Sequence, residues 1–397
     1  MSAQIPLDVL VVGGGIAGLW TARRLQAAGH VCAVVEREAL GAGQTGAAQG
    51  MIHGGLKYAL DGRPSAASEA LAAMPGRWRA CLEGTGEVDL RGVRRLADAC
   101  WLWADDAFRG RLATLLASRL LRGRAERAAP GARPPFLEHA AFDGVAVRLD
   151  EIVVDVPSLL DVLAAPLAPR LVRITDLEER LHRDASGPGL TLGDRVLRPR
   201  HVVLCAGAGN EALLAALGEA GPAMQRRPLH QVCVAVDHPH PVHGHCLTGQ
   251  LGTEPRLTIT SHPREGGGWL WYLGGALAGA GVERDRDAQI AAARVEVARA
   301  LPWLDVTTAA FSTLRVDRAE PATGSGRRPD HAFVAGTGPV ITTWPTKLTL
   351  APDLADRVLE LLPPPAGDAA AHDTELLRAL DPLERPSRAP GFEARAA

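Results

Sequence analysis

The sequence predicts a chain of mixed α/β and α+β class, in which an open α/β sheet is interrupted by an inserted, mostly antiparallel sheet. Three observations predict it. The apolar run Leu7–Val12 enters a glycine turn and then a helical pattern. A second such run, His201–Leu204, enters the turn Ala206–Gly209 near the middle of the chain. Between residues 226 and 275, by contrast, short strand-type runs follow one another with turns and no helix between them. Alternating strand–helix units indicate a parallel sheet, and consecutive strands an antiparallel one.

The first unit carries the most chemistry. Gly13-Gly14-Gly15-Ile16-Ala17-Gly18 follows the strand directly. Gly13 permits the tight turn, Gly15 lets the backbone approach a pyrophosphate, and Gly18 lets the helix pack on the strand. The helix, from about Ile16 to Ala28, points its free N–H groups at that phosphate, and Gly29 stops it. Val31–Val35 forms the next strand and ends in Glu36, with Arg37 beside it. An acid there accepts hydrogen bonds from an adenosine ribose and argues against an NADP 2′-phosphate, but serves NAD and FAD alike. This is a Rossmann-like dinucleotide site.

Bulk properties set limits. A chain of 397 residues exceeds one ordinary core, so two domains are expected. A net charge of −2 excludes a global attraction to nucleic acid or acidic membrane. Six cysteines without a CxxC pair indicate free thiols in a reducing, cytoplasmic setting. The strand at Leu7 leaves no room for a signal peptide, and no run of eighteen apolar residues is present to span a membrane. Basic residues are nearly all Arg; Lys57 and Lys347 are the two lysines.

The remaining elements follow in order. Residues 39–58 are dense in Gly and small polar side chains, a run that lies flat against a ligand. A helix is expected over 66–82, a strand within 91–105 and an Arg-flanked helix over 107–127, with a break at Pro130–Pro135. Residues 150–157 lead into a helix from Ser158 to about Leu167, followed by a short strand at Leu171–Ile174. Strands are expected at Gln231–Val236, Leu257–Ser261 and Trp269–Gly274. A helix at 284–301, strands at 311–318 and His331–Gly336, and a helix from Ala351 to Leu362 complete the pattern. Residues 364–397, rich in Pro, Ala and charge, are expected to form a mobile tail. The resulting division is 1–80, 146–222 and 311–363 for the nucleotide-binding domain, and 81–145 with 223–310 for the inserted one.

At this point the chain resembles the FAD-dependent oxidoreductases of the D-amino acid oxidase superfamily. Four features carry the resemblance: Gly13–Gly18 with Glu36; the loop Gly43–Gly50 followed by Ile52-His53-Gly54-Gly55 and Lys57-Tyr58; Val202–Asn210; and Gly336 to Thr349, ending in Lys347-Leu348-Thr349. The His-x-Gly-x-x-Tyr arrangement is similar to the glycerol-3-phosphate and 2-hydroxyglutarate dehydrogenase branch. Pro345-Thr346 departs from the Gly-Gly-Lys-Leu-Thr-Thr pattern of the glycerol-3-phosphate enzymes and weakens the case for a phosphorylated substrate.

The resemblance implies FAD at the interface of two domains. Gly13, Gly15, Ile16, Ala17, Gly18, Glu36 and Arg37 would hold its nucleotide end. Gln44, Thr45, Gln49 and Gly50 would run along the pyrophosphate and ring. Val172 would frame the adenine. Ala206, Gly207, Gly336, Gly338, Lys347, Leu348 and Thr349 would meet the flavin. His53 is the expected base, its intrinsic pKa suiting proton transfer near neutrality. Lys57, Tyr58 and one of Arg315 and Arg318 are expected at a small carboxylate-bearing substrate, where an Arg fork grips a carboxylate. The alternative for those arginines is pairing to Asp317 or Glu320. Lys347 would stabilise anionic reduced flavin.

His238, His240, His243, His245 and Cys246 are interspersed with prolines and read as a turn, so no metal is expected. Oxygen, a quinone or a carrier would take the electrons, and the helix at 107–127 offers only a weak case for membrane association. The rival functions are an amine or amino acid oxidase of the same fold, a pyridine-nucleotide enzyme, and a flavin-bound scaffold without catalysis.

Overall fold

A computed structural model of the protein describes residues 3–55, 66–105, 125–247, 254–324 and 331–391, with Gly326 and Pro329. In β1 (Ala3–Val12) both faces are buried: Val9 and Val11 enter one core, Leu10 and Val12 another. A strand apolar on both sides requires cover on both sides. α1 (Ile16–Ala27) covers the first face with Leu19, Trp20 and Leu25. It ends at Gly29, where φ is +84°; the Gly29 amide donates to Gln26 O and the His30 amide to Leu25 O. This is the paired bonding of a Schellman end, and it needs the positive φ that glycine adopts freely. β2 (Cys32–Glu36) then runs parallel to β1.

The chain leaves this sheet for β3 (Met51–Ile52), α2 (Ala66–Leu82), β4 (Arg95–Ala97), β5 (Cys100–Ala104), β6 (Ala125–Ala128), β7 (Val145–Leu149) and β8 (Ile152–Val154). α3 (Val156–Ala164) opens on Asp155, whose carboxylate accepts the Ser158 amide. β9 (Leu171–Arg173) returns beside β2. α4 (Leu177–Arg180) leads into the meander β10 (Leu181–Asp184), β11 (Gly187–Leu192) and β12 (Arg195–Leu204), and β12 lies parallel to β1 along its length. After α5 (Asn210–Ala216) come β13 (Met224–Val236), β14 (Gly244–Cys246), β15 (Leu257–Pro263), β16 (Trp269–Gly274), α6 (Ala276–Ala280), α7 (Arg286–Ala300) and β17 (Ala310–Pro321). β18 (Phe333–Thr337), β19 (Val340–Trp344), α8 (Ala351–Leu361) and α9 (Ala369–Leu380) complete the chain.

Three sheets result. The first has the order β10-β11-β12-β1-β2-β9, with β19 parallel to the C-terminal half of β12 and β18 antiparallel to β19. The second, β17-β13-β16-β15-β14-β5-β7-β6, is antiparallel except where β14 and β5 meet. β3, β8 and β4 form the third. Trp20 of α1 and Trp78 of α2 join in the core beneath the first sheet, with ring centroids 4.7 Å apart. No helix among the described residues is long and apolar enough to cross a membrane.

Two expectations are corrected. The helix expected over 107–127 lies mostly outside the described residues, and its described end, Ala125–Ala128, is strand β6 paired to β7. The tail beyond Pro364 is ordered through residue 391. Leu376 and Leu380 of α9 are fully buried against the first sheet, and the segment after it exchanges backbone bonds with Leu40 and Arg173. Composition concealed this, because three apolar side chains suffice to dock a helix whose other faces are wet. Asp8 holds the start of this segment. Burial works against its charge, but the Val31 and Ala366 amides and the Arg200 guanidinium outweigh it and keep the carboxyl below its ordinary pKa.

Candidate functional site

The C-terminal ends of β1, β12 and β19 open on a cavity of about 520 Å³ that also touches β13 and β17 of the second sheet. Its size falls in the range of small-molecule sites, about 300–1,000 Å³.

Backbone makes most of the first wall. Gly13 has a φ of +118°, and a Cβ there would stand 2.6 Å from Cys205 O. A Cβ on Gly18 would stand 1.9 Å from Gly13 O, so the helix rests directly on its own turn. The Ile16 amide at the start of α1 donates to Thr45 Oγ1 at 3.1 Å. Glu36 accepts the Gly14 amide at 2.6 Å and the Glu38 amide at 2.8 Å, and its half-buried carboxylate borders the cavity.

The second glycine turn is tied to the C-terminal loop. Asn210 is fully buried; its Oδ1 accepts the Ala206 amide and its Nδ2 donates to Thr343 O. Trp344 Nε1 donates to Gly207 O at 3.0 Å. In the loop itself the Lys347 amide donates to Pro345 O at 2.6 Å across Thr346, whose φ is +60°. That is a γ-turn of the rare positive-φ kind, centred on a β-branched residue. A threonine here holds a backbone conformation that glycine adopts freely. Trp78 Nε1 holds the far end of the loop at Thr349 O, 3.0 Å away.

Side chains make the opposite wall. β17 is the edge strand of its sheet, so residues of both its faces reach the cavity. Arg315 Nη1 donates to Val282 O at 2.8 Å, and Arg318 Nε to Arg227 O at 3.2 Å. Asp317 pairs with Arg226 and Glu320 with Arg227, so those carboxylates have other partners. Gln44 Nε2 donates to Ala319 O and Gln49 Nε2 to Tyr272 O, stapling the small-residue loop to the second sheet.

Most expected residues converge. Gly13, Gly15, Ile16, Ala17, Glu36, Arg37, Gln44, Thr45, Gln49, Ala206, Gly207, Arg315, Arg318, Lys347 and Leu348 all line the cavity. Gly18, Gly50 and Thr349 support it from behind: a Cβ on Gly50 would lie 2.0 Å from Val154 O. Val172 has its side chain in the core, while Leu177 and Glu178 reach the cavity from that side. Gly336 and Gly338 do not converge. Val340 pairs with Val202 and β18 runs back antiparallel, so their hairpin lies at the end of the sheet away from Leu204. His53 is half-buried and outside the cavity lining; its amide donates at 3.3 Å to Oγ1 of Thr349, the neighbour of cavity-lining Leu348. Lys57 and Tyr58 lie outside the described residues.

One group was missed. Glu151, buried, accepts the Gly54 amide at 3.0 Å, and its other oxygen lies 3.4 Å from buried His245 Nε2. His245 Nδ1 meets Thr258 Oγ1 at 3.0 Å. The proline-spaced histidines had read as a turn; in fact Gly244–Cys246 is a strand between β15 and β5, where no local pattern announces it. Two neighbours are buried neutral imidazoles. Burial, then the nearby His262, pushes His243 down to about 3, and burial pushes His262 down to about 4. Burial likewise raises the Cys205 thiol to about 12, which removes it as a nucleophile.

Comparison with known proteins agrees with this geometry. A family model described as FAD dependent oxidoreductase matches residues 8–352. The chain is 50% identical over 359 residues to the probable FAD-dependent oxidoreductase PA4991 of Pseudomonas aeruginosa, covering 90% of this chain and 91% of that one. The crystal structure of PA4991 superposes with a TM-score of 0.81 at 44% identity over 100% of both chains. Glycine oxidase from Geobacillus kaustophilus shares the fold, with a TM-score of 0.64 at 18% identity over 90% of this chain and 94% of that one. L-alpha-glycerophosphate oxidase from Mycoplasma pneumoniae does so with a TM-score of 0.64 at 13% identity over 98% of both.

Proposed function

The chain belongs to the DAO family of FAD-dependent oxidoreductases, and from that premise we propose that it oxidises a small carboxylate-bearing substrate such as a 2-hydroxy acid, or else a glycerol-phosphate-like alcohol. The residues present fit the cofactor. Gly13 and Gly18 let the turn close on Cys205 O and on itself, and Gly15, without a Cβ beside Thr45, leaves the start of a twelve-residue helix open for a pyrophosphate. Glu36 would hold the ribose; Gln44 to Gln49, Ala206–Gly207 and Trp344–Leu348 would enclose the rest. FAD supplies the hydride acceptor at N5.

The chain's own residues bind, orient and move a proton. Lys347 would bring positive charge to the loop Trp344–Leu348 at the cavity, favouring an electron-rich ring. Arg318, or Arg315 beside it, would grip the substrate carboxylate. His53 would take the hydroxyl proton. The observation that supports this role is the bond from the His53 amide to Thr349 Oγ1, which holds the His53 backbone next to the loop whose Lys347 and Leu348 line the cavity. Oxygen, a quinone or a carrier protein would reoxidise the flavin.

Amino acid oxidation is the second reading, favoured by Pro345–Thr346 in place of the paired glycines of the glycerol-3-phosphate enzymes. An anaerobic screen of 2-hydroxy acids, glycerol 3-phosphate and amino acids, following flavin bleaching, separates the two. No bleaching by any of them would favour a flavin-bound scaffold. His53→Asn should slow bleaching by about 10²–10⁴-fold at saturating substrate. An unchanged rate would rule the base role out.

A further inference from the structure

Glu151 stands one step beyond the pairing of β3 with β8, where Ile52 faces Ile152. The antiparallel register therefore sets it opposite His53. It is 3% exposed, and its Oε1 accepts the Gly54 amide at 3.0 Å. The His53 amide, one residue earlier, donates to Thr349 Oγ1 at 3.3 Å. The two peptide planes that flank the His53 Cα are thus each tied to a side chain from a distant segment. Peptide planes are rigid, so fixing both fixes φ and ψ of the residue between them.

Glu151 is itself held from the second sheet. Its Oε2 lies 3.4 Å from Nε2 of buried His245 on β14. A carboxylate only accepts, so His245 donates from Nε2 and turns Nδ1 to Thr258 Oγ1 of β15, 3.0 Å away. Gln49 of the cavity loop donates to the carbonyl of that same Thr258. Burying a carboxylate this deeply is unfavourable, and an apolar side chain of the same size would pack there without that penalty. What an apolar side chain lacks is an acceptor for Gly54.

We propose that Glu151, braced by His245, is a positioning residue for His53: it fixes the backbone that carries the imidazole. The inference rests on the reading of His53 as the base.

The test compares Glu151→Leu with Glu151→Gln in the FAD-bound full chain, using the hydroxy or amino acid that bleaches the flavin fastest in the anaerobic screen. Leucine removes the acceptor at similar size; glutamine keeps an oxygen for Gly54. The leucine variant should lose about 10²-fold in kcat with KM changed by less than about threefold, and glutamine should restore most of that loss. In a His53→Asn background Glu151→Leu should add nothing, because both changes act through one group. Glu151→Met repeats the measurement if the leucine variant does not fold. In the parent, the His53 and Gly54 amides should exchange with deuterium as slowly as those of β8. An unchanged kcat in Glu151→Leu, with bleaching slowed by His53→Asn, overturns the proposal and leaves the base standing. So does a glutamine variant as slow as the leucine one, an equal loss in the His53→Asn background, or fast exchange at Gly54. Full-rate bleaching in His53→Asn, or no bleaching by any compound, removes the base itself, and Glu151 then has nothing to position.

Discussion

On one side of the cavity, Gly13–Gly18 and Ala206–Gly209 present backbone; on the other, β13 and β17 present side chains, among them Gln231 and Arg318, with His262 of β15 and Tyr272 of β16 stacked 3.9 Å apart in the same sheet. The backbone wall carries no titratable group between Gly13 and Gly18, and it is built to distances that exclude a single methyl. The side-chain wall is held by register and burial, and several of its buried groups take up protons. The first should therefore fail by steric insult and ignore pH, and the second the reverse.

The largest effect should come from the first wall. Gly18→Ala puts a Cβ against Gly13 O. It should cost about 3 kcal/mol of unfolding free energy and release FAD, as seen by denaturant titration and by loss of flavin absorbance on purification. Wild-type stability with full flavin content would mean that the turn can yield, and the contrast between the walls would collapse.

Acid should act on the sheet behind the second wall, where His243 and His262 are buried. His243 and His262 titrate at about 3 and about 4 when folded, below their unfolded value. The unfolded chain then binds protons first, so stability is complete above a pH of about 6.5 and falls as pH drops toward the folded values. Two such histidines should lower the unfolding free energy by about 3 kcal/mol between pH 7.5 and 5.5. His262→Leu should flatten the slope, and a slope identical to wild type would show that His262 is not its source.

The smallest effect should come from Thr346, where a side chain intrudes into a loop otherwise held by backbone. Thr346→Gly relieves the positive φ and should stabilise by about 1 kcal/mol after the entropy cost of glycine is offset. A loss of stability would show instead that the Thr346 hydroxyl bond to His331 O outweighs the strain.

The same contrast explains what the sequence reveals. The glycine turn of the first wall has a local pattern: one strand, six turn residues, one helix and the strand that ends in Glu36, so Gly13, Gly15, Gly18 and Glu36 could be named before any fold was known, although the Cys205 backbone that closes on Gly13 comes from far along the chain. Arg318 and Lys347 were legible as charges, though the partners around them were not. Gln231 was not legible as a lining residue, because nothing in its strand pattern marks it and only the placement of β13 brings it to the cavity. Gly336 and Gly338 misled for a related reason. Their spacing is that of a ligand turn, and only the antiparallel direction of β18 sends them to the wrong end of the sheet. Glu151 and His245 come from segments far apart in sequence, and neither segment carries a pattern that calls for the other.

The first sheet takes its strands from residues 3–36, 171–204 and 333–344, and the segment around Ser387 still closes on Leu40. During synthesis, β12 must wait with a bare edge until β19 leaves the ribosome, and the backbone wall of the cofactor site is not whole before then. Pairings so distant in sequence close slowly. Cofactor capture is thus a late event in the life of each new chain, and FAD can act as a seal on a finished fold but not as a template for starting one.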